Sequence, residues 1–367
     1  MNGPTVRVIP AADLSEFECE RWGELQDADH ALASPFFSPD FVRCASSASP
    51  NVFVAILEIA DRQVGFFSFE RSGRSGYPVG RRFAYHQGVV LERGIELHPV
   101  ALVRACGLKE WRFSHLLASQ ACFAPFHQIR GGSACIDLSD GFDAYVAERK
   151  RSGSKLFSGL AKRERRIERD VGPLRFVAQA DDLGVAQEII QLKLDHYART
   201  HGQNLLASES YLALLTRMLA AQTPRFAGVV SALYAGDRLV AGLLGVRSRT
   251  VYVGIVTTYD QEFAYYSPGG ILYAKMCESL PALGITTLDL GGSEHEYKQR
   301  WSSGEVELAE GFVASDHVAR AKLELEAAMR ARTFHLLNHG VLGPDRRAGH
   351  ALRKLQHRGS TSAARSS

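Results

Sequence analysis

Apolar residues along this chain of 367 residues fall into two alternating textures. Short β-branched runs are separated by segments whose apolar positions recur at helical spacing. The pattern predicts a strand at 6–9, a helix from about Asp13, and helix starts in SPFFSPDFVRCA (34–45), where Ser precedes Pro twice. Strands at 52–59 and 63–69 flank Ala60-Asp61-Arg62 as a hairpin. A loop at 73–80, a strand at 83–91, a helix at 99–106 and a strand at 111–117 complete the first half. At 148–170 the texture changes: ERKRSGSKLFSGLAKRERRIERD is densely charged and helical after Ser154. Beyond Gly172-Pro173 the pattern gives a strand at 174–178 and helices at 182–199 and 211–221. Strands follow at 229–234, 239–246 and 251–257.

Two hairpins resemble each other. VAILEIADRQVGFFSFERS (54–72) and SALYAGDRLVAGLLGVRS (231–248) both place Asp-Arg in the turn and Gly in the next strand. Turn chemistry alone favours Asp and Gly. Together with a length too great for one ordinary core, the match predicts two modules of one kind. The expected division is a first module at 1–147, a second at 148–318, and a C-terminal helix (319–338) with a basic tail to 367.

Composition narrows the class. The apolar share of 46% and charged share of 23% describe a globular protein. The net charge of +3 originates in the tail: from Val341 onward six Lys and Arg face only Asp345, a local +5 that leaves −2 for the rest. Bulk charge therefore argues against DNA binding. The six cysteines (19, 44, 106, 122, 135 and 277) form no CxxC pair and no zinc spacing, so no metal is expected. The N-terminus lacks a signal-peptide pattern, and no uninterrupted apolar run is long enough for a bilayer. A cytoplasmic protein is expected, peripheral to the inner membrane at most.

Candidate chemistry concentrates at 251–301. A β-branched strand runs into Ser267-Pro268-Gly269-Gly270, which opens the helix ILYAKMCESLPALG. Two glycines in a first turn are poor helix formers, but they bare backbone N–H groups that can approach a phosphate. The other reading is that Pro and Gly merely end a loop. Next, a short parallel-type strand at 285–290 ends in Asp289-Leu290-Gly291-Gly292-Ser293, where open α/β sheets place ligands. A helix carrying Glu294, His295, Glu296, Tyr297, Lys298, Arg300 and Trp301 follows, then a strand at 306–313.

These residues carry a resemblance. The words YD–EF–YYSPGGIL and LDLGGSEHEYKQRW resemble the acetyltransferase-like family found beside bacterial cellulose and exopolysaccharide synthesis genes. The second is also similar to Fem-type peptidoglycan aminoacyltransferases, which are tandem GNAT folds. The basic helix KLFSGLAKRERRIERDVGPLRFV (155–177) is similar to the segment opening the second module in both. The likeness spans about 150–315, and the first half matches only loosely, through SPFFSPDF and the hairpin. It implies an α/β (α+β) chain of two tandem GNAT-like modules, each a mixed twisted sheet flanked by helices. The Arg/Gln-x-x-Gly-x-Gly/Ala pyrophosphate signature is absent, and SPGG stands in its place.

The resemblance implies direct transfer of an acyl group, acetyl first, from acyl-CoA to an amine or hydroxyl of a sugar or cell-surface polysaccharide precursor, alongside the polysaccharide-synthesis machinery. A Fem-like aminoacyl-tRNA donor and a non-catalytic scaffold are the alternatives. Such transfer needs a base for the nucleophile, amides for the carbonyl and an acid for the leaving group. Candidate catalytic residues are Asp260, Glu294 and Tyr297. Ser267, Gly269, Gly270, Ile271 and Lys298 are candidates for the donor, and His196, Tyr197, Arg199 and Asp289 for the acceptor. Plainer roles stand beside each: a cap for Asp260, pairing with Lys298 for Glu294, packing for Tyr297. The cationic face at Lys162, Arg163, Arg165 and Arg166 reads as a phosphate site or a solvated helix. His86 has no partner in sequence and is assigned nothing.

Overall fold

The computed structural model describes residues 3–200, 204–292, 296–317, 319–321 and 323–326. Its first half runs β1 (Thr5–Pro10), α1 (Glu16–Asp27), α2 (Pro39–Ala48), β2 (Val52–Ile59), β3 (Arg62–Ser72), β4 (Ser75–Tyr77), β5 (Val90–Leu91), α3 (Pro99–Ala105), β6 (Glu110–Leu117) and β7 (His127–Asp137). After α4 (Phe142–Arg151) and α5 (Leu156–Asp170), the plan repeats. β8 (Leu174–Val177) leads to α6 (Leu183–Thr200), α7 (Glu209–Ala220), β9 (Ala227–Ala235), β10 (Arg238–Arg247) and β11 (Val251–Tyr259). Then come α8 (Pro268–Ser279), β12 (Thr287–Gly292), α9 (Glu296–Trp301) and β13 (Gly304–Ala314).

Local chemistry accounts for the element ends. Ser15 and Glu18 form a reciprocal capping box at α1, and Ser38 caps α2 ahead of Pro39. Ala60 and Asp61 both adopt positive φ, the turn that a tight hairpin between β2 and β3 requires. The expected strand at 83–91 does not form. That segment is a short helical turn and a loop, with only Val90–Leu91 extended. Gln87 holds it: its Oε1 accepts the Ser114 and His115 amides, while its Nε2 donates to the Ala84 carbonyl. β7 and α4 lie where the apolar pattern gives no element.

The sheet order is β1-β2-β3-β4-β6-β13-β7-β12-β11-β10-β9-β8, with β5 paired to β3. It reads as a palindrome of two equivalent halves. β4 and β6 are parallel, as are β11 and β12, and the neighbouring pairs along this order are antiparallel. The halves exchange their last strands. β7, from before residue 147, lies against β12, and β13 lies against β6. The exchanged strands pair at the centre, from Gly304 opposite Cys135 to Gly311 opposite His127. A Cβ on Gly311 would stand 2.1 Å from the Phe126 carbonyl, so this crossing needs glycine.

Strand alternation feeds two layers. Val54, Ile56, Val230 and Leu244 face a core under α1, α2, α6 and α7 that runs across both halves. Ala55, Leu57 and Phe67 face α3, while Leu233, Leu243 and Tyr252 face α5 and α8. β11 and β12 pair only from Val251–Thr287 to Val253–Asp289. Beyond that point β11 continues to Tyr259 against β10, and a wedge opens between β11 and β12.

The strand exchange predicts that neither fragment 1–147 nor fragment 148–367 folds alone, because each lacks a strand from the middle of its sheet. Circular dichroism and size-exclusion should show disordered or aggregated fragments, and co-expression should restore one folded complex. A monomeric, cooperatively melting fragment would contradict the exchange.

Candidate active site

The wedge is where strand backbone loses its neighbour, and side chains from both faces of the sheet converge on it. From α6, Lys193 Nζ donates to the Thr257 carbonyl at 2.9 Å and stands 5.1 Å over the Tyr197 ring. From α8, on the opposite face, the Tyr273 hydroxyl lies 3.0 Å from Thr257 Oγ1. From the loop held by Gln87, Tyr85 packs against Gly291, where a Cβ would meet its ring and Lys298 Nζ at 3.3 Å each. The Tyr85 hydroxyl is held above the ordinary tyrosine range by burial, and by the neighbouring charges of Asp289, Tyr297 and Tyr197. Burial and the Lys298 charge lower the Lys193 ammonium.

At the base of the wedge lies a buried pair joining the two halves. Asp289 ends the part of β12 paired to β11 and is 1% exposed, and His86, at 4%, comes from the first half. His86 Nε2 stands 3.1 Å from Asp289 Oδ2, at ion-pair distance but outside hydrogen-bond alignment. The other oxygen, Oδ1, accepts the Ser133 hydroxyl and the Gly291 amide, both at 2.6 Å. His86 Nδ1 lies 2.8 Å from Ser34 Oγ. Burial raises the Asp289 carboxyl, but His86 and these donors outweigh it and hold it below the ordinary range. Ser34, His86, Ser133 and Asp289 thus form a polar chain across the core, on four segments far apart in sequence.

The start of α8 differs from the expected amide cradle. Ser267 sits at φ 51° and makes no side-chain cap; instead its hydroxyl accepts Arg163 Nη1 at 2.6 Å. Its carbonyl accepts the amides of both Gly270 and Ile271, so two of the expected phosphate donors are already used within the turn. Gly269 stays open: a Cβ there would touch only Tyr259, at 3.5 Å. Gly270 lies under Leu160, and the Ile271 side chain is core. Beside this turn lies a cleft of about 430 Å³, whose lining among the described residues includes Leu160 and four cations, Arg149, Lys155, Arg163 and Arg300, and no carboxylate. The α9 helix links the two features, with Lys298 on the wedge and Arg300 on the cleft.

The remaining candidates separate. Asp260 accepts the Glu262 amide as a cap and pairs with Arg238 at 3.1 Å, the plainer role of the two. His196 lies 3.4 Å from Gln261 Nε2, and burial, Lys193 and Arg199 lower it. Arg199 is exposed near the end of α6, and Tyr197 packs beside Lys193. Tyr297 is 47% exposed, and burial of the rest raises its hydroxyl. Glu294 lies outside the described residues. His86, Lys193, Tyr85, Tyr273, Arg149 and Arg300 reach these features without being site candidates in the sequence. Only the AYHQG run around His86 carries any local signal, a polar pair inside an apolar segment. Among the described residues no cluster of His, Cys, Asp and Glu has metal geometry, and no helix is long and apolar enough to cross a membrane.

Residues 154–299 match the family model described as an acetyltransferase (GNAT) domain. No curated protein matches significantly. Among solved structures, FemX superposes with a TM-score of 0.58 at 10% identity, over 88% of this chain and 100% of its own. The C-terminal domain of an Agrobacterium fabrum protein described as a lysylphosphatidylglycerol synthetase gives 0.53 at 14% identity, over 85% and 95%. A Bacteroides thetaiotaomicron protein of unknown function gives 0.52 at 10%, over 82% and 97%. At these identities the likeness is one of fold, a mixed α/β architecture spanning most of the chain, and the GNAT match itself covers residues 154–299.

Removing one member of the buried pair leaves the other uncompensated. His86→Ala should destabilise the protein by about 3–5 kcal/mol in chemical denaturation. The carboxyl of Asp289 is depressed in the folded state, so the folded protein binds fewer protons than the unfolded chain through the acid range. Its contribution is complete above about pH 4–5, the unfolded range, and disappears as pH falls through the folded value. Asp289→Asn should therefore flatten the acid limb of the stability curve. An unchanged acid limb would show that the pair carries no linkage.

Proposed function

We propose that this chain is an acyltransferase that moves an acyl group, acetyl first, from a phosphate-bearing donor to an amine or hydroxyl acceptor by direct attack. One observation supports this above the rest: the wedge between β11 and β12 lies next to the basic cleft at the start of α8. A donor with an anionic end and an extended acyl arm fits both. Arg163, Arg300, Arg149 and Lys155 hold the phosphates, with the Gly269 amide beside them. The arm follows the unpaired edge of β11 toward Thr257, where strand amides and the Lys193 ammonium polarise the carbonyl. Tyr297 donates the proton to the leaving group, and Glu294 takes the proton of the nucleophile. Asp260, already engaged with Arg238, has no part in this reading.

The catalytic half is 148–318, and the 1–147 half supplies Tyr85 and His86 to the floor of the site. Acyl-CoA is the donor and a sugar or polysaccharide precursor the acceptor, in the cytoplasm beside the polysaccharide-synthesis machinery. A second reading, an aminoacyl-tRNA donor, is favoured by one feature. Most amides of the SPGG turn are spent internally, so the donor's phosphates meet side-chain cations more than backbone.

A thermal-shift screen of the full chain tests this. Acetyl-CoA or a longer acyl-CoA should raise the melting temperature, and Arg163→Ala with Arg300→Ala should weaken binding by about 10- to 100-fold, the loss of one or two charge-assisted hydrogen bonds. Stabilisation by charged tRNA alone would select the second reading. No response to either donor would overturn the enzyme assignment.

A further inference from the structure

The basic helix α5 has an exposed side that the proposed reaction does not use. Its inner side is apolar: Leu160 and Ile167 lie in the core, and Glu164 beside them pairs with Lys275 at 2.9 Å. Helical periodicity gathers Lys162, Arg165, Arg166 and Arg169 on the opposite side, at i, i+3, i+4 and i+7. All four are exposed, in a row about 10 Å long. No carboxylate falls within it. Glu168 lies on the flank beyond Arg165, and Asp170 is held by Arg169 at 2.8 Å and by the Tyr266 hydroxyl at 3.3 Å. Among the described residues, Lys162 and Arg165 have no ion-pair or hydrogen-bond partner.

Tyr265 borders this row and is 68% exposed. Arg166 donates to its hydroxyl and lies 5.1 Å over its ring, while Tyr266 stands against it edge-on, 5.4 Å away at 78°. Cations in one plane, bordered by amphipathic rings, complement a flat anionic surface: the cations meet headgroup phosphates and the tyrosines sit at headgroup level. A nucleic-acid strand would instead use ring faces to stack its bases, and Arg166 already covers one face of Tyr265. The row itself carries no Leu, Ile, Val or Phe to insert more deeply, so the contact it can make is electrostatic and superficial.

We propose that the outer side of α5, with Tyr265, is a docking face for an anionic bilayer leaflet, on which the chain sits reversibly. Arg163 lies on the flank of α5, turned to Ser267 and the cleft. Docking therefore brings the cleft beside the headgroups without using its cations. The proposal concerns where the chain works, and it stands whether or not the cleft takes an acyl donor.

Vesicles of equal parts phosphatidylglycerol and phosphatidylcholine should carry the full chain down in sedimentation, and pure phosphatidylcholine vesicles should not. Binding should fall steeply as salt rises, because exposed charges are screened. Lys162→Gln with Arg165→Gln removes two cations without partners, so the melting temperature should not move. Partition onto the anionic vesicles should drop about 20-fold, roughly fivefold per charge. Tyr265→Trp supplies a local probe, because the three native tryptophans, Trp22, Trp111 and Trp301, are buried. Its emission should shift to the blue on anionic vesicles and stay put on neutral ones. The basic tail is the competing anchor. Arg346→Gln, Arg347→Gln, Arg353→Gln and Lys354→Gln together should leave that shift in place. Absence of sedimentation with anionic vesicles would overturn the proposal. So would a double variant that partitions like the parent, or a blue shift that disappears with the tail cations, since either places the contact elsewhere. Tighter binding of single-stranded RNA than of the vesicles, lost in the same double variant, would assign the face to nucleic acid and overturn the membrane reading.

Discussion

Backbone polar groups inside a protein must find partners, and the sheet of this chain leaves a gap where they do not find them in a neighbouring strand. β11 and β12 hold together for three residues and then part. Most of what is distinctive nearby follows from that gap. A lysine reaches from one face and a tyrosine from the other to the same residue, Thr257. A strand edge left open inside a folded domain is a binding surface for an extended molecule, which can add its own hydrogen bonds where a strand would have been.

The parting is held by the exchange of strands. β12 is drawn onto β7 from the first half, and β7 in turn onto β13. Asp289 sits at the last position of β12 paired to β11, and from there it clamps Ser133 on β7, the Gly291 amide and His86 of the first half. The interior polar chain costs desolvation, yet it fixes the register at which the strands separate. The two halves are thus one cooperative structure around a shared pair of central strands.

Much of this was legible in the residues, for physical reasons. The two similar hairpins, the Ser-Pro helix starts and the β-branched runs encode local structure, and local structure obeyed them. The palindromic sheet was only hinted at, because strand exchange depends on pairings between residues more than 150 apart, which no periodicity records. The loop at 84–89 reads as a strand because Ala84, Val89 and Val90 are apolar; the Gln87 side chain decides otherwise by taking the Ser114 and His115 amides. Within the site, sequence spacing singled out the SPGG turn and the Asp289–Lys298 segment; in the fold the turn meets Arg163 and Leu160 of the basic cleft, and Lys298 lies against Gly291. It placed the phosphate contacts on backbone amides, whereas the Ser267 carbonyl uses two of them and Arg163 takes the Ser267 hydroxyl. His86 and Lys193 were invisible because a lone polar residue shows its role only once the fold supplies its neighbours.

Hydrogen exchange along β11 reads the open edge directly. Alternate amides of residues 254–259 face away from β10 and should exchange with solvent in the free protein. Saturating acyl donor should slow exchange in this segment, because an arm lying along the strand takes over its free hydrogen bonds. If the donor binds tightly while residues 254–259 exchange as before, the wedge is not where the acyl group lies, and the account built on it fails.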